Sequence, residues 1–220
     1  MGSSITFRQA IALLVPPRCA VCAAACAATE VLCARCEAGL RACLPTRLAV
    51  PGLDLTLAAA PYEGVARELV RALKFDARIA LAPQAARAIA DALEPSLGEI
   101  PRPLDGPRSP CAVVPVPAAP SRLLRRGFDP AEAIASALAA DLGLPLRPCL
   151  CRSDGPRQVG RRRRARLSDP PQVRLVSEAP QRAIVVDDVL TTGSTLGVCA
   201  RALRAGGAGG VIGAAFARSL

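Results

Sequence analysis

Residues 183–195 constrain the fold of this chain more than any other stretch. Four apolar residues, Ala-Ile-Val-Val, lead into two adjacent aspartates, a hydroxyl-rich turn with one glycine, and a helix-compatible run at 196–205. Short, β-branched apolar runs are typical of buried parallel strands. The stretch therefore predicts an α/β fold in which a strand ends in acids and a turn leads into a helix N-terminus.

The side chains of this stretch suit a sugar phosphate. Backbone N–H groups, hydroxyls and a helix dipole favour a phosphate at the turn, which comprises Thr191, Thr192, Gly193, Ser194 and Thr195. Carboxylates just before it, Asp187 and Asp188, can accept hydrogen bonds from sugar hydroxyls or hold Mg²⁺. The pattern predicts a ribose 5-phosphate site. The alternative is an ordinary strand, turn and helix, with a solvated acidic strand end and a threonine cap.

The same stretch closely resembles the phosphoribosyl pyrophosphate (PRPP) motif of type I phosphoribosyltransferases. The resemblance implies that Asp187 and Asp188 face the ribose 2- and 3-hydroxyls and are the catalytic residues, which position the ribose and stabilise the cationic sugar. It also implies that residues 191–195 wrap the 5-phosphate, with Mg²⁺ accompanying PRPP. The fold expected from it is a mostly parallel sheet flanked by helices.

Cysteine spacing near the N-terminus predicts a metal site. Cys19 and Cys22 form one CxxC knuckle, and Cys33 and Cys36 form a second after ten intervening residues. Two such turns supply the four thiolates of a closed tetrahedral Zn²⁺ site, and zinc binding would supply folding energy to a module without large side chains. The alternative is cysteine replacing alanine in an alanine-rich chain. Cys26 and Cys43 remain open as spare thiols, alternative ligands or remnants of a second site.

The middle of the chain contributes helices, a strand and a cationic loop. Helical patterns cover residues 65–75, 81–93 and about 130–142, and residues 111–117 are expected to form the first strand of the main domain. The loop after that strand carries Arg125 and Arg126, which are suited to pyrophosphate because guanidinium groups pair bidentately with phosphate oxygens. A solvated basic turn is the alternative. Further strands are expected near 146–150, 182–187 and 210–216.

A second basic segment follows the helix at 130–142. Its arginines are Arg152, Arg157, Arg161, Arg162, Arg163, Arg164 and Arg166. Three interpretations stay open: a mobile loop that closes over pyrophosphate, a nucleic-acid contact, or a disordered surface segment.

Motifs along nearly the whole chain resemble the ComF/GntX family, bacterial phosphoribosyltransferase-like proteins linked to DNA uptake and utilisation. They are the CxxC pairs, Tyr62-Glu63-Gly64, the run from Leu69 to Lys74-Phe75, Val114-Pro115-Val116-Pro117, Arg125-Arg126-Gly127-Phe128, and the aspartate and threonine motif. Two departures are Asp129-Pro130, where the family often has Asn-Gln, and the absence of a second cysteine pair downstream of the knuckles.

This resemblance implies a PRPP-binding protein with a role in DNA uptake, with single-stranded DNA and a helicase-like uptake protein as partners. The alternative is an active phosphoribosyltransferase with an unidentified acceptor and no connection to DNA; a scaffold that keeps the fold for stability is a third hypothesis. The predicted organisation is a zinc ribbon at residues 1–50 and a phosphoribosyltransferase-like domain at 51–220.

Composition limits the chemistry and the compartment. The net charge of +10 favours polyanionic partners, whereas the absence of histidine excludes a Cys–His nucleophilic pair. Aromatic residues make up only 2%, which argues against base stacking as the main DNA contact. No membrane span or export signal is apparent, so the cytoplasm is the expected compartment, and it does not favour disulfides.

Overall fold

The computed structural model describes residues 17–27, 29–97, 111–153 and 172–219. Its strands are β1 (Thr46–Arg47), β2 (Leu55–Pro61), β3 (Cys111–Pro115), β4 (Leu150–Ser153), β5 (Gln172–Leu175), β6 (Arg182–Leu190) and β7 (Gly210–Arg218). Its helices are α1 (Ala34–Arg41), α2 (Gly64–Phe75), α3 (Ala82–Leu97), α4 (Pro120–Arg126), α5 (Pro130–Leu142) and α6 (Ser194–Ala205), with a 3₁₀ turn at Ile79–Leu81.

The main sheet has five strands in the order β1-β2-β7-β6-β3. Only β1 pairs antiparallel; β2, β7, β6 and β3 run parallel to one another. Strands β4 and β5 form a separate antiparallel pair. The carboxyl ends of the four parallel strands therefore share one edge, which is where open α/β sheets bind ligands.

Helices cover both faces of this sheet because its central strands are apolar on both sides. On β6, Ile184 and Val186 pack in one core with α3 and α5, whereas Ala183 and Val185 pack in another with α6. The predicted α/β architecture, a mostly parallel sheet flanked by helices, is confirmed.

Helix α2 lies across the carboxyl edge of the sheet. It begins beside the end of β2, where the N–H of Tyr62 donates to the carbonyl of Arg218 at the end of β7 (2.7 Å). It ends at Phe75, whose ring lies 5.6 Å from the guanidinium carbon of Arg126, beyond β3. Since β2 and β3 are separated by β7 and β6, α2 crosses above the ends of all four parallel strands.

Two local expectations were wrong. The stretch from Ser121 to Asp129, expected as a loop, contains helix α4, which starts with Pro120 at its first turn and ends at Gly127 in the left-handed conformation (φ 77°). The strand expected at 146–150 is reduced to a single parallel bridge between Leu146 and Val113, and β4 starts only at Leu150. Prolines on both sides of that bridge lack the N–H groups that a longer ladder needs.

Strand β2 was not anticipated, although it supplies one of the four parallel strands. Strand β1 pairs with it through Thr46 and Ala58, so residues before position 50 also contribute to the main sheet. The division into residues 1–50 and 51–220 stays a prediction. Among the described residues, no helix has the length and apolar character that crossing a bilayer requires.

Candidate functional site

The paired aspartates lie among the last residues of strand β6, at the carboxyl edge of the sheet. Asp187 pairs in register with Ala215 of β7, and β6 continues through Leu190 before the turn begins. Asp188 is buried and Asp187 half-buried. The Oδ1 of Asp187 accepts a hydrogen bond from the N–H of Asp188 (2.8 Å), which fixes the orientation of the first carboxylate.

A lysine from α2 neutralises the second carboxylate. The Nζ of Lys74 lies 3.0 Å from Oδ2 of Asp188, and the two side chains are 20% and 12% exposed. Because both groups are largely shielded from water, the Coulomb attraction between them is stronger than in a surface pair, and breaking the pair would leave a poorly solvated charge. The pair ties the end of α2 to the end of β6.

Asp129 adds a third carboxylate to this edge. Its Oδ2 accepts from the N–H of Ala118 (2.9 Å) and its Oδ1 from the N–H of Ala131 (3.0 Å), so it caps α5 and fixes the segment after β3. Burial raises the pKa of Asp129, and the nearby charge of Asp188 adds to this effect. The backbone N–H groups of Ala118, Ala131 and Glu132 oppose it.

Among the carboxyl groups at the site, Asp187 has the most strongly shifted pKa. Burial and then the charge of Asp188 raise its pKa to about 7, while the N–H of Asp188 and the ammonium of Lys74 act in the opposite direction. A half-buried acid beside another carboxylate is held partly protonated near neutral pH. A cation or a set of hydroxyl donors would stabilise its ionised form.

The turn after β6 is built as an anion cradle. Thr191, Thr192 and Ser194 are exposed, and the hydroxyls of Thr192 and Ser194 are 2.7 Å apart. Helix α6 begins at Ser194, and its N-cap position, Gly193, provides no side-chain cap. The N–H of Ser194 donates to the hydroxyl of Thr192 at 3.4 Å. The following N–H groups of the first turn have no intrahelical acceptor, so they are available to a phosphate. Thr195 lies in that first turn and is half-buried.

Glycine is required at position 193 for two reasons. Its φ of +78° is left-handed, a conformation that other residues adopt only at a cost. A Cβ at this position would also lie 2.5 Å from Cγ2 of Val50, a buried residue that follows β1. The shape of the turn at residues 191–195 therefore depends on the absence of a side chain at Gly193.

The two predicted arginines lie in the last turn of α4, which follows β3. Together with Lys74, Phe75, Ala77 and Phe128, Arg125 and Arg126 line a pocket of about 350 Å³. Arg125 is exposed, while Arg126 is half-buried over the ring of Phe75. Since β3 and β6 are neighbours, the arginines and the acids share one edge, and Lys74 belongs to both groups.

The four predicted zinc ligands converge. The Sγ atoms of Cys19, Cys22, Cys33 and Cys36 all lie within 4.8 Å of one another, and those of Cys22 and Cys33 are 3.6 Å apart. Zn–S bonds of about 2.3 Å in tetrahedral geometry require S–S separations of roughly 3.8 Å, so the cluster fits such an ion with small adjustments. Burial and hydrogen bonds to the other three sulfurs raise the pKa of Cys36, which a bound cation would reverse.

The two remaining N-terminal cysteines are outside this cluster. The Sγ of Cys26 lies 3.5 Å from the carbonyl oxygen of Glu30, and that of Cys43 lies 3.4 Å from the carbonyl oxygen of Gly39. Burial raises the pKa of both thiols. These contacts favour the interpretation that both are spare thiols.

The cysteine module packs directly on α2. Cys36 and Leu40 of α1 share one core with Leu69 and Leu73 of α2. The guanidinium of Arg78, just past α2, donates to the carbonyl of Ala20 in the first knuckle (3.0 Å). The cysteine cluster thus supports the helix that carries Lys74.

Part of the basic segment lies outside the described residues. Arg157, Arg161, Arg162, Arg163, Arg164 and Arg166 fall within 154–171, between antiparallel strands β4 and β5, whereas Arg152 is half-buried in β4. Their predicted roles are therefore untested.

Neither Lys74 nor Asp129 was identified from the sequence as a neighbour of the acid pair. Lys74 is the only lysine of the chain, which was the one available signal. Its partner is 114 positions away, and no local pattern encodes such a contact. Asp129 was noted only as a departure from a family pattern.

No protein-family model matches the chain, and no curated protein matches it significantly. Similar solved structures include a hypoxanthine phosphoribosyl transferase from Trypanosoma cruzi, at 18% identity and TM-score 0.33, covering 67% of this chain and 64% of that chain. Another is an orotate phosphoribosyltransferase from Aeropyrum pernix, at 18% identity and TM-score 0.32, covering 82% of this chain and 77% of that chain. This chain thus covers slightly less than two thirds of the first structure. Similarity this low carries no argument, so function must be argued from the chain's own residues.

Proposed function

We propose that this protein binds PRPP, or a related ribose 5-phosphate ligand, at the carboxyl edge of its parallel sheet. One observation carries the proposal: a buried and a half-buried carboxylate lie shortly before a hydroxyl-rich turn and a helix whose N-cap residue, Gly193, has no side chain. Phosphate needs the donors of the turn, and a vicinal diol needs paired acceptors. Both kinds of group follow one another along the chain at the carboxyl end of β6.

Each part of the site has a separate task. Asp187 and Asp188 accept hydrogen bonds from the ribose hydroxyls, while the turn at residues 191–195 holds the 5-phosphate through N–H and hydroxyl donors. Arg125 and Arg126 receive the pyrophosphate group. The resemblance to phosphoribosyltransferases and to the ComF/GntX family supports the same assignment.

Mg²⁺ is proposed as a companion of the ligand. Among the described residues, the cysteine cluster is the one group with three or more ligand atoms close enough to hold a metal ion. Mg²⁺ typically uses one or two carboxylates, substrate phosphates and water, and the acids of β6 fit this partial role. When bound, the ion would neutralise pyrophosphate charge. Zn²⁺ is proposed separately as a structural ion at the four cysteines.

Calorimetric titration tests the proposal. Zinc-loaded protein is titrated with Mg²⁺-PRPP and with ribose 5-phosphate, beside an Asp187→Asn/Asp188→Asn variant. We expect wild type to bind both ligands and the variant to lose both. Folded wild type that binds neither ligand would refute the proposal.

A second candidate function is phosphoribosyl transfer to an acceptor. It is favoured by the acid pair, because ionisation of Asp187 and release of Asp188 from Lys74 would present two carboxylates to a ribose cation. The C1–O bond would break with its electron pair leaving on pyrophosphate, while a nucleophilic acceptor forms the new bond to C1 and gives its proton to solvent. Release of pyrophosphate in the presence of candidate nucleophiles, such as nucleobases, tests this function.

A role in handling DNA in the cytoplasm during uptake, with a helicase-like partner, is proposed from the ComF/GntX resemblance. The net charge of +10 and the arginine-rich segment support it. Salt-dependent binding of single-stranded DNA that is lost on replacing Arg161, Arg162, Arg163 and Arg164 with serine would support a direct contact. Unchanged binding in that variant would assign any DNA contact to another surface.

A further inference from the structure

Lys74 stands between an acidic and a basic group of side chains. Its ammonium contacts Asp188 at 3.0 Å, with Asp187 adjacent, and its side chain also lines the pocket that Arg125 and Arg126 share. Helix α2 places it there by crossing the carboxyl edge of the sheet. A cation in this position can interact with either side.

The charged side chains that line the pocket beside Lys74 are all positive. The other lining residues are Phe75, Ala77 and Phe128, and the volume of the pocket is about 350 Å³. Arg126 is held over the Phe75 ring in cation–π geometry, which restricts the guanidinium to the pocket wall. Such a lining selects a compact polyanion of the pyrophosphate class.

The ion pair with Asp188 conflicts with sugar binding. If Asp188 is to accept hydrogen bonds from a ribose diol, one of its oxygens must leave the ammonium or share it. Lysine carries a compact charge on a flexible four-carbon stem, so it can move from one anion to another over a short distance. A pyrophosphate group in the adjacent pocket carries more negative charge than Asp188 and competes for the same ammonium.

We infer that Lys74 is a ligand-binding residue that pairs with Asp188 in the free protein and turns to the pyrophosphate group when the ligand enters. The inference rests on the proposed function and extends it to a residue that reads the pyrophosphate end of the ligand. Lys74 thereby shields Asp188 until the ligand replaces that shielding with its own hydroxyls.

The inference predicts that replacing Lys74 changes the affinity for pyrophosphate and the affinity for ribose 5-phosphate differently. Lys74→Gln removes a charged contact to pyrophosphate, and such contacts are worth roughly tenfold to a hundredfold in affinity. The same change releases Asp188, so affinity for ribose 5-phosphate stays the same or rises. A purely structural role would weaken both ligands together.

The test titrates wild type, Lys74→Gln and Lys74→Arg with Mg²⁺-pyrophosphate, Mg²⁺-PRPP and ribose 5-phosphate. Arg71→Gln is the matched control, because it removes the same charge one turn earlier on α2, where exposed Arg71 pairs with half-buried Glu68. We expect Lys74→Gln to lose about tenfold or more for the two pyrophosphate-bearing ligands only. Lys74→Arg should retain more affinity than Lys74→Gln, and Arg71→Gln should match wild type.

Two results would overturn the inference: an equal loss for ribose 5-phosphate and PRPP in Lys74→Gln, or no loss for either pyrophosphate ligand. Failure of the proposed function is distinguishable, since wild type would then bind neither PRPP nor ribose 5-phosphate. In that case Mg²⁺-pyrophosphate alone decides: a tenfold loss in Lys74→Gln supports the role of Lys74, and unchanged or absent binding refutes it.

Discussion

Ionisation of Asp187 destabilises the folded state, so the stability of the protein depends on pH through this group. Burial and the charge of Asp188 raise its pKa from 3.8 to about 7. A group whose pKa is raised on folding stabilises the native state fully below its unfolded pKa, and this stability is lost as pH rises through the folded pKa. Wild type should therefore lose stability from this group between about pH 4 and pH 7.

Asp187→Asn removes this dependence while keeping a side-chain oxygen for the N–H of Asp188. At about 1.4 kcal/mol per pH unit, the raised pKa corresponds to roughly 4 kcal/mol at high pH, and to about 2–3 kcal/mol between pH 5 and pH 8. The variant should thus gain stability relative to wild type as pH rises, with the difference levelling off above about pH 7.

Urea denaturation of zinc-loaded protein, without phosphate or added divalent cations other than zinc, measures the effect at several pH values. The pH dependence of zinc binding is common to both proteins and cancels in the difference. Asp91→Asn, the same change on an exposed position of α3, should show no such trend. A pH-independent difference between Asp187→Asn and wild type would refute the electrostatic argument.

Three further outcomes are expected. Gly193→Ala should lower the free energy of unfolding by about 1–3 kcal/mol and abolish PRPP binding. Adding Val50→Ala should restore part of the stability but not the binding. Full recovery of both stability and binding would mean that the backbone conformation at Gly193 is unimportant. Removing zinc with a chelator, or replacing Cys33 by serine, should weaken PRPP binding as measured by calorimetry, because α2 loses its support. Unchanged affinity would show that PRPP binding does not depend on the cysteine cluster. Asp54→Ala should cost about 1–3 kcal/mol of stability in urea denaturation but leave PRPP affinity unchanged, because Asp54 bonds Arg204 and the N–H of Val211 near the amino ends of the strands.

The strongest local patterns could be read from the sequence. Strand β6, the turn and helix α6 follow from one apolar run, a glycine and a periodic segment, and the cysteine cluster follows from spacing alone. Strand β2 could not be found in this way, because Ala58, Ala59 and Ala60 at its centre carry no β-branched signal. Helix α4 was missed because glycine and arginine dominated the interpretation of its stretch.

The electrostatics of the candidate site depend on contacts that sequence alone does not encode. Lys74 and Asp188 come together only because α2 crosses the sheet, and the raised pKa of Asp187 depends on the burial that this packing creates. Residue types at the site were predictable, but the pairing among them required the tertiary structure.

The outer edge of β3 bears on how copies of this protein can associate. An unprotected edge strand recruits other chains by offering consecutive free amides. Here the N–H and carbonyl of Val113 are already bonded to Pro145 and Arg147, and Pro115 has no N–H to offer. Pro148 then ends this short pairing. Two hydrogen bonds from the chain's own backbone therefore occupy the outer edge of β3 and hinder the pairing of a strand from another molecule there.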